Sequence, residues 1–492
     1  MPDTQTVIRR NVRLDFPHSV HFTREAFSTS NETLAEILRP SREGRRSKVI
    51  VYVDEGLLDG NPNLPTRIEQ YFRAHEEELN LVRSPVFIRG GEAAKNEWNL
   101  VERIWEELNE NAMCRHSYVM VVGGGAALDL VGFAAGTAHR GVRLVRLPTT
   151  TLSQGDGGIG VKNGVNFFGK KNWVGTFAVP DAIVNDFSLL RSLPENQKRS
   201  GYVEAVKVAL IRDRSFFEFI EARAEELATF EEMAMEQVIR KSAAHHLDHI
   251  AGSGDPFEKG SARPLDFGHW VAHKLEQISD FRIGHGEAVA IGLAVDLIYS
   301  SRVGLVKPET TERVLQLLEN LGFRLFDDLL LADNDESKRI ILEGLEEFRE
   351  HLGGQLTITL IQGIGEGIEV NAMDKTEILA SVDDLRKRHL TTPVAEPHAL
   401  LRAGRQHPRG NPQCRRTDPS SPRRTHATPP SFRRTRGERP SRNRTSPARR
   451  HLHRSGNLPH WEITLRARHR GQRLVRPHAQ RTPLLETVKS LG

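Results

Sequence analysis

The sequence is poor in cysteine, with only Cys114 and Cys414 among 492 residues. A disulfide framework needs several cysteines, and the two present lie in regions of very different composition. A structural zinc site built from thiolates likewise needs more cysteines than the chain has. The count therefore excludes a disulfide-stapled scaffold and a thiolate zinc site, and it favours a cytoplasmic compartment.

Long hydrophobic runs are also missing. The chain has no apolar stretch of about eighteen or more residues, so no membrane span is predicted. The first residues, MPDTQTVIRR, lack the apolar core of a signal peptide, and we expect a cytoplasmic protein. With 38% hydrophobic and 27% charged residues, a chain of this length suits two globular domains with additional segments.

Charge is distributed unevenly behind a net charge of +5. Arginine dominates residues 394–492, whereas acidic residues outnumber basic ones in the rest of the chain. The segment 394–492 is also rich in proline and has no sustained hydrophobic periodicity, so we predict a disordered tail. Its sequence is typical either of an out-of-frame extension or of a nucleic-acid-binding segment. Aromatic side chains for base stacking are limited to Phe432 and Trp461, which makes a nucleic-acid partner the weaker hypothesis.

Two patterns of secondary structure follow one another along the rest of the chain. Residues 48–186 alternate apolar, β-branched runs with amphipathic segments, which predicts a parallel α/β sheet wrapped on both faces. Residues 187–390 are mostly helical in periodicity. We therefore predict an α/β domain over residues 1–186 and a helical domain over 187–390, with a ligand cleft between them.

A glycine triplet marks one candidate binding site. Gly123, Gly124 and Gly125 follow a predicted strand and open a predicted helix. Backbone N–H groups at such a turn can approach a pyrophosphate, and the helix N-terminus favours negative charge. Asp129, on the first turn of that helix, is interpreted as a structural cap.

The segment 140–175 is unusually rich in glycine and carries lysines and amide side chains. A long glycine-rich loop costs conformational entropy unless it holds a ligand, and these groups suit a phosphate or a polyol. The alternative is a flexible surface loop, but we expect the apolar residues Val161, Val165 and Trp173 to be packed.

A second candidate site consists of histidines. His269 and His273 are four residues apart and share one helical face, and His285 opens the next helix. With Glu204, two of these histidines would form a three-ligand centre with an open position, which is typical of catalytic zinc. We interpret His245, His246 and His249 as a solvated helix face.

These motifs together resemble the dehydroquinate-synthase-like sugar phosphate cyclases over about residues 45–390. The segments that carry the resemblance are GGGAALDLVGFAAGTAHRG, LPTTTLSQGDGGIGVKNGVN, KKNWVGTF, GYVEAVKVALI, DFGHWVAH and GHGEAVAIG. The resemblance implies a Rossmann-like NAD-binding domain followed by an all-α metal-binding domain. It also implies a sugar phosphate substrate and a homodimer, with no membrane partner.

Site residues follow from the resemblance position by position. The implied metal ligands, for Zn²⁺ or another divalent ion such as Co²⁺, are Glu204, His269 and His285. Residues implied in catalysis and substrate binding are His273, Lys162, Lys207, Asn172, Asp156 and Arg140, the last reaching a phosphate across a dimer interface. Implied NAD contacts are Gly123, Gly124, Gly125, Asp129, Lys171, Glu92, Lys95, Thr149 and Thr150.

The family chemistry would be a carbon–oxygen lyase reaction. A ring hydroxyl is oxidised transiently by NAD, phosphate is eliminated, the hydride is returned, and an intramolecular aldol reaction closes a carbocycle.

Several positions depart from the dehydroquinate synthase pattern. The cations that hold the substrate carboxylate there correspond to Asp248 and Ala262 here, although the neighbouring Arg263 could compensate. Asp266 replaces an asparagine, and a late Lys-Lys pair reads Arg349-Glu350-His351. The segment HSVHFTREAFSTSN resembles 2-epi-5-epi-valiolone synthases. We therefore expect a substrate without a carboxylate, such as sedoheptulose 7-phosphate.

Three alternatives remain open. They are a 3-dehydroquinate synthase acting on the seven-carbon keto acid phosphate, a metal-dependent polyol dehydrogenase, and a nucleic-acid-binding protein that uses the basic tail.

Removing residues 394–492 separates the last alternative from the enzymatic ones. Since the resemblance ends before the tail, turnover of a sugar phosphate is expected to be unchanged in the truncated chain. Phosphate release measures turnover, and a gel-shift assay measures binding of DNA and RNA. Loss of turnover in a truncated chain with an unchanged circular dichroism spectrum would contradict this prediction.

Overall fold

The protein is described here by a computed structural model that covers residues 10–12, 14–40, 44–252, 257, 265–351 and 354–391. All of these residues belong to one compact unit. The predicted tail 394–492 lies outside the described residues, as do Ala262 and Arg263. No helix within the described part of the chain is both long and apolar enough to cross a bilayer.

Strands concentrate in the first half of the described chain. The strands are β1 Val20–Thr23, β2 Ser47–Asp54, β3 Leu79–Leu81, β4 Val86–Ile88, β5 Tyr118–Gly123, β6 Arg143–Pro148, β7 Lys162–Phe167, β8 Lys170–Phe177, β9 Ala182–Asp186, β10 Ile358–Gly363 and β11 Glu366–Val370.

Helices dominate the second half. The α-helices are α1 Thr33–Leu38, α2 Leu64–Ala74, α3 Trp98–Glu110, α4 Gly125–Thr137, α5 Glu195–Arg212, α6 Arg214–Ala222, α7 Ala224–Ala228, α8 Glu232–Gly252, α9 His269–Ile278, α10 His285–Arg302, α11 Pro308–Asn320, α12 Glu343–His351 and α13 Lys375–Thr391. The periodicity predicts one helix over 216–227, but the structure divides it between α6 and α7 at Arg223, which leaves the helical conformation.

Among the described residues, seven strands form one parallel sheet in the order β1-β9-β6-β5-β2-β3, with β4 beside the last part of β2. Alternate residues of a strand point to opposite faces, and both faces of this sheet are buried. In β2, Ile50 and Tyr52 belong to one hydrophobic cluster, whereas Val49, Val51 and Val53 belong to another. The predicted α/β sheet wrapped on both faces is confirmed.

The helical half packs around α10. This helix is buried on nearly all sides, and its apolar residues join those of α5, α9 and α11 in one core. The antiparallel pair β10–β11 adds to this core, close to the strand pair expected from the sequence. The sheet's last strand ends at Asp186, where a domain boundary is predicted, and that division stays a prediction.

The glycine-rich segment 140–175 is not the long loop that the sequence predicts. It contains β6, a π-helical turn over Ser153–Gly157, and the antiparallel hairpin β7–β8. The buried guanidinium of Arg146 organises it by donating to the carbonyls of Gly158 and Gly160 at 3.1 and 2.6 Å and to Asn163 Oδ1 at 2.6 Å. Backbone carbonyls that would face solvent in a loop are thereby satisfied inside the fold.

The hairpin also corrects one packing expectation. Val161 and Val165 are buried as predicted, but Trp173 is 53% exposed. The ring of Trp173 lies beside Phe168 and beneath the ammonium group of Lys170 on the surface of the hairpin.

Two glycines let α9 start against the middle of α10. A Cβ at Gly292 would lie 2.0 Å from the carbonyl oxygen of Gly268. Gly268 itself has φ +77°, and a Cβ there would lie 2.6 Å from the amide nitrogen of Leu293. Because both obstacles are backbone atoms, neither position has room for a side chain.

We expect Gly292→Ala to lower the free energy of unfolding by at least about 1–3 kcal/mol, because the added methyl overpacks a backbone contact. Gly252→Ala is the matched control, since that helical glycine has open space around its Cβ position. Chemical denaturation of both variants measures the effect. Equal stability of Gly292→Ala and the control would contradict the close approach of α9 and α10.

Candidate active site

Glu204, His269 and His285 converge at one point although they come from three helices. Each offers one ligand atom, and these atoms all lie within 4.8 Å of one another. Glu204 Oε1 is 3.2 Å from His285 Nε2 and 3.7 Å from His269 Nε2. Ligands at zinc–nitrogen and zinc–oxygen distances of about 2.0–2.1 Å in a tetrahedron would be about 3.3 Å apart. The three predicted ligands therefore fit a divalent metal ion.

Outer contacts orient both imidazoles. His269 Nδ1 donates to the carbonyl oxygen of Phe267 at 3.1 Å, which leaves Nε2 available as a ligand. His285 Nδ1 lies 3.3 Å from Glu276 Oε1, and Glu276 is buried. A carboxylate behind a metal-binding histidine fixes its tautomer and raises its basicity. The sequence analysis missed Glu276, which lies on α9 seven positions after His269 and so shares its face.

The two histidines differ in protonation without a metal. Burial and the charge of Lys207 lower the pKa of His269 to about 4. Burial also opposes charge on His285, but hydrogen bonds to Glu204 and Glu276 outweigh it and raise the pKa to about 10. Without a metal ion, the positive charge of His285 thus offsets the negative charges of the buried carboxylates Glu204 and Glu276.

The start of α9 is fixed by a buried carboxylate that the sequence analysis also missed. Asp296 on α10 is 0% exposed and accepts hydrogen bonds from Gly268 N and from Trp270 Nε1, each at 3.0 Å. These bonds flank His269 on both sides. The helix pair therefore sets the position of that ligand before any ion binds.

His273 shares this site, as predicted. Its ring centroid lies 5.5 Å from that of His269 and 6.4 Å from that of His285. Desolvation, followed by the charges of His269 and His285, lowers the pKa of His273, so the neutral ring is available to accept a proton.

Lys207 and Asp156 extend the site along α5. The ammonium group of Lys207 is 2.5 Å from Glu204 Oε2 and 3.9 Å from Asp156 Oδ2. Burial alone would lower the pKa of Lys207, but Glu204 and Asp156 raise it. The structure thus brings both of these predicted residues beside the metal ligands.

The interpretation of the α8 histidines as a solvated face is wrong for two of the three. His246 and His249 are buried, whereas His245 is partly exposed. His246 Nε2 lies 2.9 Å from Asp156 Oδ1, and His249 Nδ1 lies 3.0 Å from Arg212. The sequence pattern could not show this because helix α8 packs on the π-helical turn that carries Asp156.

The glycine turn after β5 adopts the expected strand-to-helix geometry. Gly124 is the extended N-cap of α4, and a Cβ at Gly125 would meet open space. Thr149 N donates to Gly123 O at 3.0 Å, and Thr150 Oγ1 lies 2.8 Å from Ser153 Oγ, so both predicted threonines line this turn. The unobstructed backbone suits the close approach of a pyrophosphate.

Asp54 is a further group at this turn that the sequence analysis missed. It ends β2, the neighbour of β5, and Gly56 N donates to its Oδ1 at 2.9 Å. Burial raises the pKa of Asp54. An acidic residue ending the strand next to the glycine turn is the sequence signal that points to it.

Lys95 connects the remaining predicted cofactor residues. Its ammonium group is 2.8 Å from Asp129 Oδ2 and 3.7 Å from Glu92 Oε1, and it also donates to Asn172 Oδ1. Asp129 is therefore not a helix cap: α4 begins at Gly125, and the carboxylate one turn later serves the ion pair. Asn172, predicted near the substrate, also joins this network, with φ +53° and its backbone N–H donating to Asn166 Oδ1 at 2.9 Å.

Lys171 joins the hairpin to the metal ligands. Its ammonium group is 3.2 Å from Glu276 Oε1, the same oxygen that faces His285. The predicted cofactor residues on β8 and the predicted metal ligands therefore belong to one continuous site.

Two further predicted residues lie at exposed positions. Arg140 is exposed in the turn Ala138–Arg140, with φ +64°. Lys162 is exposed at the start of β7. A role for Arg140 across a dimer interface stays a prediction.

Two family models and several known proteins are similar to this chain. The 3-dehydroquinate synthase N-terminal family matches residues 85–200, and the 3-dehydroquinate synthase C-terminal family matches residues 201–337. A 3-dehydroquinate synthase of Cereibacter sphaeroides is 33% identical over 345 residues, which is 69% of this chain and 89% of that protein. A 2-epi-valiolone synthase of Actinosynnema mirum is 34% identical over 302 residues, which is 61% of this chain and 77% of that protein.

Solved structures share the fold. The 2-epi-5-epi-valiolone synthase of Streptomyces hygroscopicus subsp. jinggangensis, with NAD⁺ and Zn²⁺ bound, has a TM-score of 0.68 and 25% identity, covering 77% of this chain and 100% of that one. Glycerol dehydrogenase from Schizosaccharomyces pombe has a TM-score of 0.52 at 14% identity, covering 77% of this chain and 92% of that one.

The α/β sheet with its glycine turn and the helical half define the class of proteins with the dehydroquinate synthase-like fold. Within that class, the chain belongs to the 3-dehydroquinate synthase-like sugar phosphate cyclase family. It is therefore an enzyme of this family.

We expect the affinity for Zn²⁺ to rise with pH. The raised pKa of His285, about 10, means that its ring is protonated at neutral pH, and a metal at Nε2 must displace that proton. Affinity should therefore increase about tenfold per pH unit between about pH 6 and about pH 9, as measured by chelator competition. In Glu276→Gln one of the two carboxylates is lost, so this dependence should weaken. An affinity independent of pH in the unaltered protein would contradict the assigned proton.

Proposed function

We propose that this enzyme is an NAD- and metal-dependent cyclase of a sugar phosphate without a carboxylate, such as sedoheptulose 7-phosphate. The reaction is a carbon–oxygen lyase reaction: transient oxidation, elimination of phosphate, re-reduction and intramolecular aldol closure. The observation that carries the proposal is the convergence of Glu204, His269 and His285 beside His273 and Lys207. Similarity to cyclases with bound NAD⁺ and Zn²⁺ supports it.

Two cofactors, NAD and a divalent metal ion, would take part in the reaction. When bound, NAD supplies reversible hydride transfer and the divalent ion polarises a substrate hydroxyl. Gly124 and Gly125 would offer backbone N–H groups to the pyrophosphate, and Asp54, Glu92 and Lys95 would contact the rest of the nucleotide. Glu204, His269 and His285 would hold the ion.

Other side chains handle protons and charge. His273, whose ring lies beside those of His269 and His285, accepts a proton from the substrate as a general base. Lys207 remains charged and can bind a phosphate or hydroxyl oxygen. Asp156, with about a quarter of its side chain exposed, accepts hydrogen bonds from substrate hydroxyl groups.

The choice of substrate rests on charge. Desolvation lowers the pKa of Lys207, whereas the charges of Glu204, Asp156 and Asp266 raise it. The charge of Asp266 also acts to raise the pKa of His273. Asp248 is exposed, and Arg349 pairs with Glu346 at 2.8 Å on the surface of α12. A substrate carboxylate would meet a carboxylate at 266 where the dehydroquinate synthase pattern has an asparagine. Two carboxylates brought together there would repel each other, which disfavours a substrate with a carboxylate.

Phosphate release tests this choice. The full chain is incubated with NAD⁺ and Zn²⁺ and with either sedoheptulose 7-phosphate or the seven-carbon keto acid phosphate of dehydroquinate synthases. We expect phosphate release from the first sugar without net accumulation of NADH, because the hydride is returned. Asp266→Asn should shift the ratio of kcat/KM values towards the keto acid by about tenfold or more, since a repulsive charge is removed.

Each alternative gives a different result in the same assay. Turnover of the keto acid alone would overturn the carboxylate-free substrate and favour a 3-dehydroquinate synthase proper. Sustained NADH formation without phosphate release would identify a polyol dehydrogenase.

We also expect the active form to be a homodimer in the cytoplasm.

A further inference from the structure

His246 occupies a buried position that the reaction described above does not use. It lies on α8, with its side chain 7% exposed, and both ring nitrogens have partners. Nε2 is 2.9 Å from Asp156 Oδ1, and Nδ1 is 3.1 Å from the backbone carbonyl oxygen of Ser242 on the preceding turn.

The two partners define the protonation of the ring. A carbonyl oxygen only accepts hydrogen bonds, so Nδ1 carries a hydrogen and donates to Ser242. Burial lowers the pKa of His246, but Asp156 outweighs it and raises the pKa above its ordinary value. Conversely, burial raises the pKa of Asp156, but the charge of His246, the charge of Lys207 and the hydrogen bond from His246 together lower it below its ordinary value. Nε2 therefore also carries a hydrogen and donates to the carboxylate.

Charged groups on the neighbouring elements also act on the pair of His246 and Asp156. Asp156 lies on the π-helical turn and Lys207 on α5, and Lys207 acts to lower the pKa of His246. The ammonium group of Lys207 is itself shared between Glu204 and Asp156. The imidazolium charge of His246 is thus compensated within the pair and does not replace a missing cation for a substrate carboxylate.

The pair leaves one carboxylate oxygen of Asp156 for other contacts. Oδ1 is held by His246, whereas Oδ2 is 3.9 Å from Lys207 Nζ, and the side chain of Asp156 is 24% exposed. π-Helical turns are rare and occur often at functional sites. A carboxylate on such a turn needs an outside partner to fix its rotamer, because two side-chain torsions separate it from the backbone.

We propose that His246 is a positioning residue for substrate binding: it holds Asp156 Oδ1 so that Oδ2 accepts a hydroxyl of the sugar beside Lys207. This inference rests on the proposed function for the identity of the ligand. The orientation of Asp156 itself does not depend on that function.

Three variants test the proposal in the full chain. His246→Leu removes the donor, and His246→Gln retains an N–H near the position of Nε2 but cannot titrate. His245→Leu is the matched control, because His245 precedes His246 on α8 but pairs with Asp213 instead, at 3.0 Å. Zinc content is measured in each variant and should be equal, since none of these residues is a proposed ligand.

We expect His246→Leu to raise KM for the accepted sugar phosphate about tenfold, with a smaller effect on kcat, corresponding to one lost charge-assisted hydrogen bond. His246→Gln should restore KM to within about threefold of the unaltered enzyme, because its amide can donate to Asp156. His245→Leu should leave KM unchanged. Unchanged KM in His246→Leu, or equal defects in the Leu and Gln variants of His246, would overturn the proposal.

A second readout separates this proposal from the proposed function. NMR of labelled carboxyl carbons follows the pKa of Asp156, which should rise in His246→Leu and stay unchanged in His245→Leu. If the unaltered chain turns over no sugar phosphate, the proposed function fails, and this titration alone decides whether His246 holds Asp156. An unchanged pKa of Asp156 in His246→Leu would overturn the positioning role.

Discussion

The candidate site depends on one buried carboxylate, that of Glu204. Its two oxygens face His285 and His269 on one side and Lys207 on the other, and the side chain is 2% exposed. A buried carboxylate is tolerated only when opposite charges surround it. Without a metal ion, Lys207 and the protonated His285 supply that charge. Helices α5, α9 and α10 must therefore pack in one arrangement for Glu204 to remain ionised.

Backbone packing without side chains makes this arrangement possible. The contact between Gly268 and Gly292 lets α9 begin against α10, and Asp296 holds that beginning through two hydrogen bonds. On the other side of the site, Arg146 satisfies the carbonyls of the glycine-rich segment, so the hairpin β7–β8 is ordered. Lys171 on this hairpin then reaches Glu276 behind His285. Side chains thereby link the glycine-rich segment 140–175 to the cluster of Glu204, His269 and His285.

Within the described residues, the positive charges of this network already have acidic partners. Lys207 is shared by Glu204 and Asp156, His246 by Asp156, and Lys171 by Glu276. A phosphate or a polyol can still be bound through hydrogen bonds to these charged groups. A carboxylate on the substrate would meet Asp266, which is the physical basis of the proposed substrate class.

The sequence by itself determined the fold class, because apolar runs of strand length and the glycine turn at 123–125 are local patterns. It also predicted Glu204, His269 and His285 as metal ligands, through the resemblance to a known family. Tertiary structure alone decided which other charges face these ligands. Glu276 and His246 carry no distinguishing local signal, since their roles arise where α9 meets the hairpin and α8 meets the π-helical turn. Such pairings join residues far apart in the chain, and helical periodicity defines a buried face without specifying what covers it.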